Sequence, residues 1–349
     1  MQAAHNLEIE EGHVETPRVS VLTTTFNVAP YVADALRSAL EQQLEDIEII
    51  VVDDGSTDDT VAVIRRFHDA RIRIFEQSHR GPVSALNAAL ALARGEFIAF
   101  LDGDDVWHPE KLIRHVRFFE EHPGIDLTFS WHALIDENGR EIGLTSRRWF
   151  GPISFEQLLT DNVIASGSLV VARRTALIQV GRFDESFGAC HDLDLWLRLA
   201  LQHSQSIASV SGFLTYYRQR PGQLTKNVKL MEDSWNQLLA KTRGIAPRQT
   251  ALVASIAASN MSRYFAYLLH ENGDYEQAQT YLVRSFRQAP LHFISDRRSW
   301  KMLAANVAAR VLPASWYQLL RGAVLRLVRN QESGYIKAVA DSRKSCGNC

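Results

Sequence analysis

The chain of 349 residues has only three cysteines, and Cys346 and Cys349 lie on a Gly/Asn/Ser-rich tail where no second pair completes a zinc site. A disulfide framework is therefore excluded, and a reducing, cytoplasmic setting is the expectation. No run reaches the ~18 uninterrupted apolar residues that a spanning helix needs. Charge of one sign is lacking too: 38 Lys and Arg face 40 Asp and Glu, a formal charge of −2, so no basic field exists to hold nucleic acid. Any phosphate site must be built locally. Residues 1–17 are rich in Glu and His and have no apolar core, which reads as a flexible leader rather than a signal peptide. What remains, 46% hydrophobic and 22% charged, suits one large globular domain or two unequal ones.

Short apolar runs at Val19 to Thr25, Ile47 to Val52, Ile72 to Phe75, Phe97 to Leu101 and Leu127 to Trp131 alternate with segments of helical spacing. Those segments lie near Tyr31 to Gln42, Thr57 to Phe67, Val83 to Ala93 and Glu110 to Glu121. The alternation predicts an α/β fold with a mostly parallel central sheet, whose ligands bind beyond the carboxyl ends of the strands. Residues 131–162 carry turn signals at Asn138-Gly139 and Gly151-Pro152 and read as an irregular insertion. Ala165 to Val171 reads as a further strand, Leu193 to Leu201 as a helix, and the domain closes near Tyr217 to Leu224. Three parts result: the leader 1–17, an α/β domain 18–228 and an all-helical C-terminal region 229–349. Within the last, Tyr264 to Pro290 has the rhythm of a helix, an Asn-Gly-Asp turn and a second helix. One such unit fits a plain hairpin better than a tetratricopeptide array, which needs several copies. Residues 307–329 mix Trp316, Leu319, Leu320 and Leu325 with Arg310, Arg321, Arg326 and Arg329. That mixture suits either peripheral contact with an anionic membrane or a packed helix with solvated arginines.

Two acidic clusters follow strand ends. In Val52-Asp53-Asp54-Gly55-Ser56-Thr57-Asp58-Asp59, the glycine makes a turn and the later residues suit a helix start. Capping does not account for Asp53 and Asp54, because adjacent carboxylates leaving a buried strand repel each other and resist desolvation. An Asp there can accept the N–H of a nucleobase edge. In Leu101-Asp102-Gly103-Asp104-Asp105-Val106-Trp107, the glycine lets several carboxylates converge, as hard divalent cations such as Mg²⁺ or Mn²⁺ require. The bland alternative is an Asp-rich turn before a helix that starts near Pro109.

Together with the opening strand Val19-Ser20-Val21-Leu22-Thr23-Thr24-Thr25-Phe26-Asn27, these clusters resemble glycosyltransferase family 2 in order and spacing over roughly 18–220. The resemblance implies a GT-A mononucleotide-binding fold and a nucleoside-diphosphate sugar donor. It further implies that Thr24 and Phe26 line the nucleoside site, Asp54 contacts the base, and Asp102 sits near the ribose or metal. Asp104 and Asp105 would hold the Mn²⁺ or Mg²⁺ against the diphosphate. Gly81 to Asn87 resembles the stretch that approaches the nucleotide, with Leu86 where many members have Arg; Arg80 is either a compensating cation or, as the simpler reading, an exposed surface arginine. In Cys190-His191-Asp192-Leu193-Asp194, Asp192 matches the acidic motif that supplies the general base of inverting members, and Asp194 is the second choice. Taken without the family, Asp192 reads as a helix cap.

The expected reaction is a single inverting displacement by an acceptor hydroxyl, in polysaccharide or glycoconjugate biosynthesis, on a saccharide or lipid-linked acceptor. The expected location is cytoplasmic, with room for a peripheral position at the inner face of the membrane. Trp107, Trp131 and Trp196 are candidates to stack on sugar rings, although helical spacing favours the core for Trp196. A nucleotidyltransferase is the nearest rival, but residues 23–29 lack the Gly-rich, basic loop that grips a triphosphate. An idle scaffold whose helical half binds partners is the other rival.

Overall fold

A computed structural model describes residues 16–320, 322 and 323. The expected leader lies almost wholly outside the described residues, as does most of 321–349. The strands are β1 (Val19–Thr25), β2 (Ile47–Asp53), β3 (Ile72–Glu76), β4 (Phe97–Phe100), β5 (Val106–Trp107), β6 (Leu127–Ile135), β7 (Glu141–Thr145), β8 (Val170–Arg173) and β9 (Ile207–Arg218). Among the described residues they form one nine-stranded sheet in the order β3-β2-β1-β4-β8-β6-β9-β5, with β7 on β6. β1 to β4 are mutually parallel, β8 runs against them, and β6 and β9 restore the first direction. The sheet is thus mostly parallel, as the strand and helix alternation predicts.

The helices are α1 (Val32–Leu40), α2 (Thr60–Ile64), α3 (Pro82–Leu92), α4 (Lys111–Glu121), α5 (Phe155–Thr160), α6 (Arg174–Gln179), α7 (His191–Gln202), α8 (Val228–Ile245), α9 (Pro247–Glu271), α10 (Tyr275–Gln288), α11 (Pro290–Ser295) and α12 (Arg297–Val311). Successive strand residues point to opposite layers. Val21, Ile49 and Val51 face α1 and α4, whereas Leu22, Ile50 and Val52 face α3 and α7. The second layer does not stop at the sheet: Met231 and Trp235 of α8 and Ala257, Phe265 and Leu268 of α9 belong to the same buried cluster. The helical region therefore shares its core with the sheet.

Several elements differ from expectation. Ala165 to Val171 is not one strand: Gly167–Leu169 is a 3-10 turn and the strand starts at Val170. Ser166 caps that turn through its hydroxyl, and local side-chain bonding of this kind competes with the sheet ladder. Residues 131–162 are more regular than expected, holding the end of β6, β7 and α5, whose Ser154 and Gln157 form a capping box. β9 was not anticipated. It pairs with β6 through two register shifts and contains Gly212 at φ 134°, which breaks its alternation. The hairpin helix begins at Pro247 rather than Tyr264, and α9 and α10 form a single hairpin with its own small cluster around Leu269, Ala278 and Leu282.

Candidate active site

The site is built on the adjacent carboxyl ends of β2, β1 and β4, where Thr25 pairs with Asp53 and Leu22 with Phe100. Thr24 is half-buried there, Phe26 is exposed, and Gly103 packs so tightly that an added Cβ would lie 3.0 Å from Thr25 Cγ2. A side chain at 103 would push the Asp102–Asp105 turn away from β1.

On the β2 side the two adjacent aspartates have separate duties. Asp53 is consumed by its own turn: Oδ1 accepts from Thr25 Oγ1 (2.8 Å) and Ser56 Oγ (2.6 Å), and Oδ2 from Ser56 N–H (2.8 Å). Asp54 reaches instead to 77–81, where Oδ1 accepts from Gln77 Nε2 (2.7 Å) and Arg80 N–H (2.9 Å) and Oδ2 from Gly81 N–H (2.8 Å). His79 Nδ1 stands 2.8 Å from the same Oδ2. Burial works to raise this pKa, but the backbone N–H of Arg80, the Gln77 amide, the backbone N–H of Gly81 and the His79 charge together hold Asp54 below the usual carboxylate range. The clamp lays the His79 ring on Phe26, with centroids 4.2 Å apart and planes 21° apart. Gly55 makes the approach possible: at φ 75° a Cβ would sit 2.9 Å from His79 N. Arg80 itself is exposed, and Leu86 is buried in the core beneath α3.

The β4 side gathers like charges. Asp102 is half-buried; its Oδ2 accepts from Ser166 Oγ (3.1 Å) and its N–H donates to Ser168 Oγ (2.9 Å). Its pKa is pushed up to about 6, first by burial and then by the charge of Asp104, with Asp192 adding to the push against the Ser166 and Ser168 hydroxyls. The carboxylates after β4 and at α7 therefore lie within electrostatic reach of one another. Asp104 pairs with Arg220 Nε at 2.5 Å. Asp105 is fully enclosed: Oδ1 accepts from Arg218 N–H (2.9 Å), while Oδ2 has no hydrogen-bond partner. Burial, then the charges of Asp104 and Asp102, raise its pKa well above the ordinary value.

The arginines that organise this turn were missed in the sequence. Arg218 is buried, donates from Nε to Asp104 O (2.7 Å), pairs with Asp34 (3.2 Å) and lies over the Tyr31 ring, as does Arg220. Two arginines alternating after Tyr216-Tyr217 at a strand end were the only available signal.

Asp192 opens α7, half-buried, with Oδ1 accepting from Leu193 N–H at 2.7 Å. Its neighbours have other roles. Asp194 is buried between Arg198 (2.9 Å) and Lys241 (2.8 Å). The Cys190 thiol is pushed up to about 12 by burial and the Asp192 charge, which removes it as a nucleophile. His191 is lowered by burial, and its Nδ1 has no hydrogen-bond partner. The turn before Asp192 is held from the helical region: Ser234 Oγ accepts from Ala189 N–H at 3.0 Å, and Leu230 lies against Gly188. Tyr264 of α9 is close enough to feel the Asp192 charge, which adds to the burial that pushes its phenol up to about 12. Trp107, Trp131 and Trp196 are all buried, so the sugar-stacking role does not fit them.

Among the described residues no three His, Cys, Asp or Glu side chains are arranged to hold a metal ion by themselves. No described helix is long and apolar enough to cross a membrane.

Residues 20–181 match the profile of glycosyl transferase family 2. An uncharacterised glycosyltransferase of Rickettsia conorii is 32% identical over 190 residues, which is 54% of this chain and 31% of that protein. A second, from Nostoc, is 40% identical over 146 residues, 40% of this chain and 44% of its own. Chondroitin synthase of Escherichia coli is 30% identical over 186 residues, 53% and 26%. The chain thus spans less than half the length of each of these relatives. Among solved structures, S. aureus TarS 1–349 in complex with UDP-GlcNAc superposes with a TM-score of 0.58 at 19% identity over 92% of both chains. The mannosyltransferase PcManGT of Pyrobaculum calidifontis, in complex with GDP-Man and Mn²⁺, gives 0.57 at 19% over 92% of this chain and 87% of its own. At that identity the likeness speaks for the fold. Strand order, motif placement and these matches agree: residues 20–181 form a glycosyltransferase family 2 domain with the GT-A fold.

Proposed function

We propose that the chain transfers a glycosyl group from a nucleoside-diphosphate sugar to an acceptor hydroxyl with inversion at the anomeric carbon. The observation that carries the reading is the gathering of Asp102, Asp104 and Asp192 within electrostatic reach at the strand ends, beside the Phe26–His79 stack. The TarS and PcManGT complexes with UDP-GlcNAc and GDP-Man support a donor of that class.

Thr24, Phe26 and the 77–81 segment clamped by Asp54 form the nucleoside end. The donors gathered on Asp54 already match the ~four acceptor positions of a carboxylate. We therefore assign Asp54 to shaping this wall, with a direct bond to the base only where His79 yields its place. Asp104 and Asp105, with Asp102 beside them, would hold a divalent cation, Mn²⁺ or Mg²⁺, only together with substrate oxygens, since no three described side chains converge on one point; in favour of a cation, all are oxygen donors, they repel one another, and the enclosed Asp105 Oδ2 lacks a partner. A cation held there completes its shell with substrate oxygens and, when bound, neutralises charge on the departing diphosphate. Arg220, paired with Asp104, is a protein cation at the same place. Asp192 accepts the proton of the attacking hydroxyl on Oδ2, since Oδ1 is engaged by Leu193 N–H. Tyr264 bounds the acceptor side. The acceptor in this reading is a saccharide or a lipid-linked saccharide, and a low cysteine content suits a reducing, cytoplasmic setting.

The test is release of nucleoside diphosphate from a panel of nucleotide sugars, with and without acceptor. Asp192→Asn is expected to lower turnover ~10²-fold or more while donor affinity persists. Wild-type turnover in that variant removes Asp192 from the role.

A further inference from the structure

Helix α12 is apolar on its outer side as well as its inner one. Inward, Met302 and Leu303 pack on the Leu269–Leu282 cluster, and beside them Ser299 and Asn306 are fully buried, with Ser299 bonded to Arg263 and Asn306 to His270 (3.1 Å), Tyr275 O (3.0 Å) and Gln279 (3.1 Å). Its outer side carries Trp300, Val307 and Val311, which are 50%, 46% and 76% exposed at spacings of seven and four, one stripe of an α-helix. Trp316 and Leu319, each 68% exposed on the helical residues 314–320, prolong the stripe, and Ile294 of α11 adds to it. An open apolar hollow of about 460 Å³ runs along it, lined by Trp300, Ala304, Val307 and Val311 among others. A surface helix ordinarily places its apolar stripe inward, so this arrangement needs an apolar medium outside the protein.

Charge identifies that medium. Between Arg297 and Gln331 the sequence has seven Lys or Arg and no Asp or Glu, in a chain whose formal charge is −2. Arg297, Lys301 and Arg310 are exposed beside the stripe, and Arg321, Arg326 and Arg329 continue the series outside the described residues. A second copy would bring base against base and gain apolar cover only at the cost of like-charge repulsion. An anionic lipid surface supplies both requirements, acyl chains for the Trp, Val and Leu side chains and headgroup charge for the rim. No described helix is fit to cross, so the contact lies in the interface plane. We propose that the outer face of α12 and residues 314–320 docks on the interfacial zone of an anionic bilayer.

Flotation of the full chain with phosphatidylcholine vesicles, and with vesicles that also contain phosphatidylglycerol, tests this. The chain is expected to float with the anionic vesicles at low salt, to be released by high salt, and to leave neutral vesicles largely alone. Lys301→Gln with Arg310→Gln is expected to weaken the partition roughly 25-fold, about fivefold for each base near the surface. Trp316→Ala, at an exposed position, is expected to weaken it with the fold intact by circular dichroism. Absence from anionic vesicles, or equal flotation with both compositions, overturns the proposal. So does a concentration-dependent dimer that Trp316→Ala abolishes, since the face then belongs to a second copy. Turnover on a soluble acceptor is expected to be unchanged in these variants, which separates this outcome from any failure of the catalytic reading.

Discussion

Asp54→Asn probes the nucleoside wall. The carboxylate accepts from two backbone N–H groups, the Gln77 amide and His79, at 2.7 to 2.9 Å. An asparagine keeps one acceptor oxygen and turns an NH₂ toward donors on the other side, so two bonds to a charged acceptor are lost. At about 1.5–3 kcal/mol each, and roughly halved because water reaches 77–81, the segment loses about 1.5–3 kcal/mol. That is less than the ~5–15 kcal/mol that holds a domain, so the protein stays folded while 77–81 opens. Because Phe26 and His79 meet only while the segment is closed, nucleoside diphosphate affinity is expected to fall roughly 10- to 150-fold. Isothermal titration without acceptor measures the affinity, and hydrogen exchange at Arg80 and Gly81 reports the opening. Wild-type affinity with those amides still protected refutes the clamp.

Chelation is expected to stop donor turnover, with Mn²⁺ or Mg²⁺ restoring it, and Asp104→Asn is expected to blunt the restoration; a rate indifferent to chelator removes the cation from the reading. Ser234→Ala leaves the buried Ala189 N–H without its acceptor and loosens the turn before Asp192, so kcat is expected to drop several-fold at unchanged donor KM. An equal rise in KM would show a general loosening instead. Burial pushes His132 down to about 4. The unfolded chain binds that proton from about pH 6.5 downward and the folded one only below about 4, so stability is full above 6.5 and falls by about 3 kcal/mol across that window. Urea melts of wild type and His132→Phe between about pH 7 and 4.5 check this; parallel pH profiles refute it.

The strands β1 to β4 are legible because a parallel strand buried on both faces reads as a nearly unbroken apolar run, as Ile47 to Val52 does. β9 is not legible, since its Ser-Val-Ser-Gly stretch and bulges hide a pairing set by β6. The Ser166 hydroxyl serves a 3-10 cap and Asp102, so its surroundings look like a strand only to a local pattern. The acids of the site are contiguous in sequence and stand out, whereas their partners are not. Arg220 meets Asp104 across 116 positions and Gln77 meets Asp54 across 23, distances over which only the folded sheet decides neighbours. For the same reason Asp53 and Asp54 looked alike in sequence, although one serves its own turn and the other a distant segment.

Because Trp235, Phe265 and Leu268 are stitched into the cluster that carries Trp196 and Leu193, a fragment cut at residue 228 would present a greasy wound where α8 and α9 had lain. The helical half therefore cannot be exchanged as a cassette. A graft from another transferase must bring its own counterparts to Ser234 and Lys241, or the strand ends would keep their aspartates and lose the helix that aims one of them.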